Sequence, residues 1–564
     1  MTDPSSQSPR ADDALRSLAA PEARALGRAG ALAVLSELLW PAQAACAALA
    51  IGGLLSGPAA APGLAALGLL ALGLLVLGGL RAGLDALAAR AAQSAASRLV
   101  AGVRGRLIVD AALQPPTAQS PAPAALASLA AEKAALLGPW AARFRPAMVR
   151  ARIVPLVLLA LVAPFSWVAA LVLLVAGPLI PVFMALVGMA AREASERQMA
   201  EIGSLNGLLV DRIAAIADLR LLGAEARAGA DLARASESLR MRTMKVLAVA
   251  FLSSTVLELF SALGVAMVAV YVGFNLLGEL PFGSWGAGLS PAGAIFILML
   301  APAFFQPLRD LAAAWHDRAS AQAVAEEIAA AEAQLAASGT ILGAGAAAAP
   351  LPAAPLSWRG LRVRPGPDAP PIALPDGSVR PGQALGIAGP SGAGKTTLLA
   401  VLAGLLRPEA GEILWGARPL DAQSADAFRA GLAWVPQMPR FIDAPLAEAL
   451  TLGRAGDLEA ALRAARATDI VAALPGGLAA RLGDLGGGVS GGEARRLAVA
   501  RAHHAAAVLV LADEPTADLD PDTAAQVLHG LLALRDKGAA VIIASHDPAV
   551  LRAMDAVLTL RGAP

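Results

Sequence analysis

Two long stretches of the chain, residues 38–80 and 153–191, contain no Asp, Glu, Lys or Arg. Each is long enough for two membrane-spanning helices of about 20 residues. Turns are expected at residues 57–63 and near residues 164–167, because Pro and Gly interrupt helices there. The sequence therefore predicts two helical hairpins in a bilayer.

A third hairpin is predicted further along the chain. Residues 246–278 carry one acid, Glu258, and residues 281–308 carry no charge. Large buried helices of a soluble protein are the alternative, but such helices rarely extend this far without a charge. A composition that is 57% hydrophobic and 16% charged, with a mean hydropathy of +0.61, favours the membrane. Residues 29–330 are therefore expected to form an α-helical transmembrane domain with six spans.

The distribution of basic residues predicts the orientation of these spans. Lys and Arg flank the hairpins and are absent from the three turns within them; the flanking residues are Arg81, Arg90, Arg98, Arg104, Arg106, Arg143, Arg145, Arg150, Arg152, Arg192, Arg197, Arg240, Arg242, Lys245, Arg309 and Arg318. Because positive loops stay in the cytoplasm, both termini and residues 81–152 and 192–245 are expected there. The formal net charge is only +1, so it does not indicate nucleic acid as a partner.

Residues 1–28 are polar and Ala-rich and lack the short apolar core of a signal peptide. We interpret them as a cytoplasmic lead. The single cysteine, Cys46, excludes an intrachain disulfide and a cysteine metal cluster. Its apolar surroundings favour the role of a small buried hydrophobe.

The two long cytoplasmic segments exceed what a connecting loop needs, and their composition is helical. We therefore expect the spanning helices to continue beyond the bilayer surface. In the second segment, residues 211–222 alternate apolar and charged positions at helical spacing. This pattern is typical of a helix that docks on another surface, or of a solvated amphipathic helix.

The character of the chain changes after residue 330. Residues 331–354 consist mainly of Ala, Gly and Pro, a composition typical of a linker. From residue 355 onward, short β-type runs alternate with helices, as at residues 413–415, 432–435, 508–511 and 541–543. This alternation predicts a soluble α/β domain in residues 355–564.

A phosphate-binding loop follows the predicted strand at residues 384–388 and precedes a helix. It has the pattern G-x-x-x-x-G-K-[ST] and consists of Gly389, Pro390, Ser391, Gly392, Ala393, Gly394, Lys395, Thr396 and Thr397. Its backbone N–H groups and the helix dipole favour a bound phosphate. Lys395 would supply a mobile cation for the β- and γ-phosphates, and the Thr396 hydroxyl is placed to bind Mg²⁺. ATP and Mg²⁺ are the expected cofactors.

Later motifs complete a nucleotide-hydrolysing site. An apolar strand ends at Asp513 and Glu514; Asp513 is expected to hold Mg²⁺, and Glu514 to polarise the attacking water. His546 follows another apolar strand and is suited to contact a γ-phosphate. The amide carbonyl of Gln437 is placed to reach Mg²⁺ or the water. Lys395, Glu514, His546 and Gln437 are therefore the predicted catalytic residues.

Ser490, Gly491 and Gly492 open a further predicted helix and form a second anion-binding element. One active site does not obviously need two phosphate cradles. The second element is therefore expected to serve a nucleotide held by another subunit.

These motifs resemble the set found in the cassettes of ABC transporters; the matching residues are the phosphate loop, Gln437, Ser490-Gly-Gly-Glu493, Asp513-Glu514, Ala517-Asp-Leu-Asp520 and His546. Six spans before one cassette resemble a half-transporter of the exporter type, which implies the type-1 transmembrane fold and a dimer. In such a dimer, each ATP lies between the phosphate loop of one chain and the Ser-Gly-Gly motif of the other. Closure on ATP would be transmitted through the cytoplasmic helical tips.

Residues 176–189, 242–247, 250–254, 270–279 and 300–310 carry a more specific resemblance. They resemble the D subunit of the bacterial heterodimeric thiol-reductant exporter required for cytochrome bd assembly. This implies a heterodimer with a homologous C-type half-transporter in the inner membrane, and export of cysteine or glutathione to the periplasm. Haem has also been proposed as a substrate of this family. A non-transporting ATP-binding assembly or regulatory subunit is the alternative from another class.

Two positions depart from what is usual in such cassettes and in this subunit. The aromatic residue that stacks on adenine should fall near Arg364, where none occurs, and Trp358 is the candidate substitute. The signature that begins at Ser490 is more complete than expected of this subunit. Its contribution to the partner's ATP site is therefore expected to be competent.

Two acids lie within predicted spans, Glu37 in the first and Glu258 in the fifth. Such acids are costly unless they face a cavity or a partner charge. With Arg150 and Arg152 near the third span, they are candidates for a cavity that holds a zwitterionic thiol such as cysteine. Structural pairing of Glu258 with a basic residue is the alternative. For haem, His316 is the histidine outside the cassette, and we expect a surface position for it rather than an axial role.

Overall fold

The computed structural model describes residues 8–55, 62–115, 121–180, 183, 212, 216–280, 282–286, 288–337, 340–343, 345–364, 370–483 and 487–560. The chain forms two compact units. One consists of Met1–Arg106 and Ala127–Ala329, and the other of Leu107–Leu126 and Ala330–Pro564. The domain boundaries predicted from composition stay predictions.

The described part of residues 8–337 is almost entirely helical. The helices are α1 (Ser8–Ala19), α2 (Ala23–Leu38), α3 (Trp40–Leu55), α4 (Leu64–Ala112), α5 (Pro123–Ala131), α6 (Leu137–Pro139), α7 (Arg145–Val162), α8 (Trp167–Ile180), α9 (Ile216–Leu221), α10 (Glu225–Leu276), α11 (Pro291–Ala313) and α12 (Trp315–Ala337). A 3₁₀ turn at Ala20–Glu22 joins α1 to α2, another lies at Lys133–Leu136, and a π turn lies at Trp140–Phe144.

Four described segments are long and apolar enough to cross a membrane: Ala11–Leu55, Leu64–Ala112, Thr255–Leu276 and Pro291–Ala337. Helix α8 is shorter but apolar, and α7 carries three arginines in its first half. Within the described residues, each of the six predicted spans overlaps a helix, and the four segments above account for four of these spans.

Parts of several predicted features lie outside the described residues, among them residues 192–211 of the second cytoplasmic segment. The predicted turn at residues 164–167 is observed between α7 and α8, whereas most of the turn at 57–63 is not described. The end of the second uncharged stretch, apart from Phe183, is also outside. Of the predicted helix at residues 211–222, the structure describes Arg212 and residues 216–222, and α9 covers Ile216–Leu221.

Helix α11 lies at the centre of the core of the first unit. It packs against α3, α7 and α10, and its Leu300 and Phe305 side chains are fully buried. Two glycines permit this approach. A Cβ added at Gly52 of α3 would lie 2.5 Å from Ala292 Cα, and one at Gly264 of α10 would lie 2.5 Å from Phe305 Cζ. Small residues are used in this way between membrane helices, whose association depends on close packing.

The predicted polar lead is helical from Ser8 onward. Helix α1 buries Leu15 and Leu18, and Asp12 on the same helix accepts hydrogen bonds from Arg318 and Gln322 of α12, both at 2.8 Å. The lead is therefore packed onto the first unit. Its cytoplasmic location stays a prediction.

Two sheets form the core of the second unit. The strands are β1 (Leu356–Val363), β2 (Ile372–Ala373), β3 (Gly377–Val379), β4 (Ala384–Ala388), β5 (Ala410–Trp415), β6 (Arg418–Pro419), β7 (Leu432–Val435), β8 (Leu509–Asp513), β9 (Ala540–Ala544) and β10 (Ala556–Thr559). One sheet is antiparallel, with the order β2-β1-β5-β6 and β3 also paired to β1. The other is parallel, with the order β10-β4-β9-β8-β7. The predicted α/β fold is confirmed.

Helices surround these sheets: α13 (Lys395–Leu402), α14 (Ala425–Ala430), α15 (Leu446–Thr451), α16 (Leu458–Ala464), α17 (Thr468–Ala473), α18 (Gly491–His504), α19 (Pro521–Asp536) and α20 (Pro548–Arg552), with a 3₁₀ turn at Gly477–Ala479. Strands β8 and β9 are buried along their whole length, which explains their uninterrupted apolar sequences. The carboxyl ends of β4, β8 and β9 lie along one edge of the parallel sheet. Ligands bind at such edges in open parallel sheets.

The interval predicted as a linker, residues 331–354, is only partly irregular. Helix α12 continues to Ala337, because alanine has the highest intrinsic helix propensity. The described residues from 340 to 355 form neither helix nor strand. Asp426 accepts hydrogen bonds from the backbone of Gly345 at 3.0 Å and of Ala346 at 3.2 Å, which holds this segment on the second unit.

Candidate functional site

The predicted phosphate loop joins the carboxyl end of β4 to the first turn of α13. Gly392 and Gly394 have φ values of +79° and +92°, a left-handed backbone that glycine adopts without steric cost. Residues 390–392 are exposed, and a Cβ added at Gly392 would meet nothing within 4 Å. The loop is therefore accessible at the N-terminus of an eight-residue helix, which is a favourable position for a phosphate.

Lys395 is buried at the start of α13, with a relative exposure of 8%. Its Nζ donates to the Gly389 carbonyl at 2.9 Å and lies 3.1 Å from Glu514 Oε1. A buried ammonium needs such partners, because desolvating an unpaired charge is costly. The positive charge is therefore held in the loop, beside the carboxylate that is predicted to polarise water.

A hydroxyl and a second carboxylate meet next to this pair. Thr396 Oγ1 donates to Asp513 Oδ2 at 2.7 Å. Burial raises the pKa of the Asp513 carboxyl, against the opposing effects of the Thr396 hydrogen bond and the Lys395 charge. Hydroxyl and carboxylate oxygens are ligands that Mg²⁺ accepts, and a divalent cation here would favour the ionised form of Asp513. These side chains therefore fit the metal role predicted for them.

Glu514 has a backbone φ of +46°, which is uncommon for a residue with a side chain. Its amide donates to the Ala544 carbonyl at 2.9 Å and so joins the ends of β8 and β9. Its carboxylate has a different partner on each oxygen, because Oε1 faces Lys395 and Oε2 lies 2.9 Å from His546 Nδ1. The His546 side chain is exposed, so it can reach a ligand from the solvent side.

The structure thus brings Lys395, Thr396, Asp513, Glu514 and His546 into one cluster. Gln437 is exposed, and among the described residues no hydrogen bond joins its side chain to that cluster. Its contact with Mg²⁺ or water stays a prediction.

Arg495, which the sequence analysis did not single out, holds two of the motif loops. This buried residue of α18 donates from Nη2 to the Gln437 carbonyl at 3.1 Å and from Nη1 to the Ala517 carbonyl at 2.6 Å. One planar guanidinium therefore fixes both the loop that carries Gln437 and the turn that follows Glu514. The available signal was the Arg pair 495–496 just before the apolar run at residues 497–500, but the sequence does not show that either arginine is buried.

We expect Arg495→Ala to lower the maximal ATP turnover rate about tenfold, because a charge-assisted hydrogen bond contributes roughly 1.5–3 kcal/mol to the placement of each loop. ATP affinity should change little, since Arg495 touches neither Lys395 nor Thr396. Steady-state kinetics with a separate nucleotide-binding measurement would check this. Arg495→Lys should rescue turnover only in part, because an ammonium lacks the planar fork. Arg463→Ala, at an exposed site of α16, is the control; an equal loss there would contradict the prediction.

Ser490 caps α18 in a reciprocal arrangement. Its Oγ accepts from the Glu493 amide at 3.3 Å, and Glu493 Oε2 accepts from the Ser490 amide at 2.7 Å. Ser490 and Gly491 are exposed, whereas Gly492 is buried against Thr523. In the described part of the chain, no hydrogen bond connects these three residues to the chain's own phosphate loop. Their predicted contact with another subunit's nucleotide stays a prediction.

Trp358 is not the adenine-stacking residue, and that suggestion is wrong. Its side chain is 1% exposed in the core of the second unit, and its Nε1 donates to the Pro375 carbonyl at 2.8 Å. A ring so enclosed has no face available to a ligand. Arg364 lies just after β1, and its Nε donates to Glu409 Oε1 at 2.8 Å.

The two predicted intramembrane acids have different surroundings. Glu37 accepts a hydrogen bond from Arg150 at 2.9 Å and lines a cavity of about 470 Å³. Glu258 is exposed on α10, forms no ion pair with any described residue and is not among the residues that line this cavity. His316 is exposed on α12, the surface position expected for it.

Comparison with known proteins defines the class. Residues 26–299 match the family model described as ABC transporter transmembrane region, and residues 375–517 match the one described as ABC transporter. The chain belongs to the ABC transporter family, as a multi-pass membrane protein whose cassette binds ATP with Mg²⁺ and couples its hydrolysis to transport.

The relatives identify a narrower group. The chain is 35% identical to the transport ATP-binding protein AarD of Providencia stuartii over 413 residues, 71% of this chain and 68% of that protein. It is 36% identical over 406 residues to the glutathione/L-cysteine transport system ATP-binding/permease protein CydD of Escherichia coli (strain K12), 69% of this chain and 66% of that protein. It is 31% identical over 433 residues to the corresponding CydC protein of Bacillus subtilis (strain 168), 74% and 72% of the two chains. Within the family, this chain is a CydD-like subunit.

Proposed function

We propose that this chain is one half of a heterodimeric exporter that uses ATP to move glutathione or cysteine from the cytoplasm to the periplasm, in support of cytochrome bd assembly. The assembled cluster of Lys395, Thr396, Asp513, Glu514 and His546, in a chain with membrane-spanning helices, carries the proposal. The transport system named for the Escherichia coli and Bacillus subtilis relatives supports the substrate class.

The proposed roles follow the geometry of the cluster. The backbone of residues 389–397 and the Lys395 ammonium would hold the phosphates, while Thr396 and Asp513, joined by Gln437, would hold Mg²⁺. MgATP supplies the phosphoryl group that is transferred to water. Glu514 would orient and deprotonate that water, and His546 would keep the Glu514 carboxylate in place while facing the γ-phosphate.

The partner is proposed to be a homologous C-type half-transporter. The exposed start of α18 supports this assignment, because Ser490 and Gly491 face solvent and are available to a nucleotide on another chain. The flanking arginines support an orientation with both termini and the cassette in the cytoplasm, and the bacterial relatives support an inner-membrane location.

Transport into inverted membrane vesicles tests the proposal. We expect the purified two-subunit complex to accumulate labelled glutathione or cysteine with ATP, and not with a non-hydrolysable analogue, because hydrolysis must reset the dimer for each cycle. Haem is tested separately in the same vesicles. Equal thiol accumulation with ATP and with the analogue, or ATP-dependent accumulation of haem alone, would contradict the proposal.

A further inference from the structure

The cavity beside Glu37 is built from the first unit alone. It lies between α2, α3, α4, α7 and α11, and its volume of about 470 Å³ is in the range of pockets for small organic molecules. Its polar lining consists of Glu37, Arg81, Gln306 and Arg309. Gln306 is exposed, so the cavity is open on the α11 side.

Glu37, the acid in this lining, already has an arginine partner. Arg150 Nη1 donates to Glu37 Oε1 at 2.9 Å, and Arg150 Nη2 also lies 3.5 Å from Asp310 Oδ2. Arg150 itself is not part of the lining. A ligand in the cavity therefore meets Glu37 as one member of a closed ion-pair network, and a free ammonium group gains little from it.

Arg309, unlike Glu37, forms no ion pair within the described part of the chain. Its Nη2 donates to Gln306 Oε1 at 2.5 Å, but its Nε is buried and has no hydrogen-bond partner among the residues that the structure describes. No carboxylate among the described residues lies within ion-pair distance of it. The Nε is closed off from the cavity, but Arg309 lines the cavity and its charge has no described carboxylate within ion-pair distance, which favours an anionic ligand there.

Arg81 also lacks a carboxylate at ion-pair distance within the described part of the chain. Its guanidinium lies 5.3 Å from the centroid of the Trp40 ring. The indole is fixed in turn, because Trp40 Nε1 donates to the Met299 carbonyl at 3.3 Å. The aromatic face therefore holds the guanidinium at the cavity wall and leaves its N–H edges available.

We infer that this cavity binds the transported molecule through its carboxylates, with Arg81 and Arg309 as the binding side chains. Two arginines with no described carboxylate at ion-pair distance fit a small peptide that has two carboxylates, such as glutathione, better than they fit cysteine, which has one. We assign none of the polar side chains of the lining to the thiol, so binding is not expected to require a free S–H. This inference rests on the proposed function and assigns a substrate-binding site to it.

Competition binding tests the ligand class. The full chain, purified with its partner subunit in phosphatidylcholine nanodiscs, is titrated with labelled glutathione. We expect S-methylglutathione to compete within about threefold of glutathione, and cysteine to bind at least about tenfold more weakly, because it lacks one charge-assisted contact. Glutathione diethyl ester, which has no carboxylate, should not compete. Competition by the ester at the concentration of glutathione would overturn the inference.

Substitutions test the residues. Arg81→Gln and Arg309→Gln should each weaken glutathione binding about tenfold or more, and Arg81→Lys and Arg309→Lys should restore part of it. Arg28→Gln, at an exposed site of α2, is the matched control and should bind normally. ATP binding and co-elution with the partner subunit show whether each variant assembles. Where a Gln variant does not assemble, the Lys variant at the same position is measured in its place. Normal glutathione binding by both Gln variants, or by both Lys variants where these replace them, would overturn the inference.

A phospholipid headgroup offers the same anionic chemistry, so phosphatidylglycerol nanodiscs form a further arm. Loss of glutathione binding there, with recovery in phosphatidylcholine, would assign the arginines to lipid and overturn the inference.

An error in the assignment of this binding site and an error in the proposed function give different results. In the first case, the wild type transports glutathione and both substituted proteins bind it normally; in the second, the wild type neither binds nor transports a thiol.

Discussion

Glu514→Gln is expected to lower ATP turnover by the two-subunit complex at least about 10²-fold while ATP binding persists. The amide keeps the size of the side chain and its position between Lys395 and His546, but it cannot accept a proton from the attacking water. A general base typically contributes 10²–10⁴-fold to rate. Phosphate release and equilibrium binding of a labelled nucleotide, measured on the same preparation, would check both parts.

Glu459→Gln is the matched control for this change. Its side chain is 82% exposed on α16 and lies outside the cluster, so turnover should equal that of the wild type. Turnover of the Glu514→Gln complex within twofold of the wild type would remove the water-polarising role from this residue. If cells with that variant still formed cytochrome bd normally, the alternative of a non-transporting assembly or regulatory subunit would gain support.

Lys395→Ala is expected to weaken ATP binding about 30-fold or more and to abolish transport. Truncating one member of a buried charge pair costs roughly 2–5 kcal/mol, because the remaining charge is left without its partner. Here the substitution removes the cation that is proposed to contact the phosphates. It also removes one of the two described partners of the Glu514 carboxylate and leaves His546 as the other. Nucleotide titration of the purified complex measures the first effect, and vesicle transport measures the second.

Lys537→Ala controls for the loss of a lysine from the cassette. Lys537 is exposed at the end of α19, and its removal should leave nucleotide affinity unchanged. Lys395→Ala with full nucleotide affinity would show that the ammonium makes no contact with the phosphates. Co-elution with the partner subunit distinguishes lost affinity from lost assembly.

Much of the second unit could be predicted because its signals are local. The apolar runs at residues 384–388, 432–435, 508–511 and 541–543 correspond to β4, β7, β8 and β9, and the glycines of the phosphate loop adopt the left-handed backbone that favours them. The motifs at the ends of these strands were expected to form one site, and five of the residues do form one cluster.

Contacts between distant parts of the chain could not be predicted. The sequence around Trp358 does not show that β1 and its neighbours enclose the ring. The sequence around Arg495 does not identify its two carbonyl partners. For Glu37, the sequence indicated that a partner or a cavity was needed, and the structure supplied both. Its arginine lies 113 positions away, so only the packing of α2 on α7 brings the two together.

The sequence by itself determined the membrane helices, the α/β cassette and the order of the motifs. Stretches without charged residues, and the spacing of glycine, lysine and acidic residues within a motif, are properties of short segments. Their interpretation does not depend on the rest of the chain. Only the tertiary structure decided which charges are paired. It placed Glu37 in an ion pair with Arg150, whereas no carboxylate among the described residues lies within ion-pair distance of Arg81 or Arg309. The cost of a buried charge depends on neighbours that only folding brings within a few ångströms.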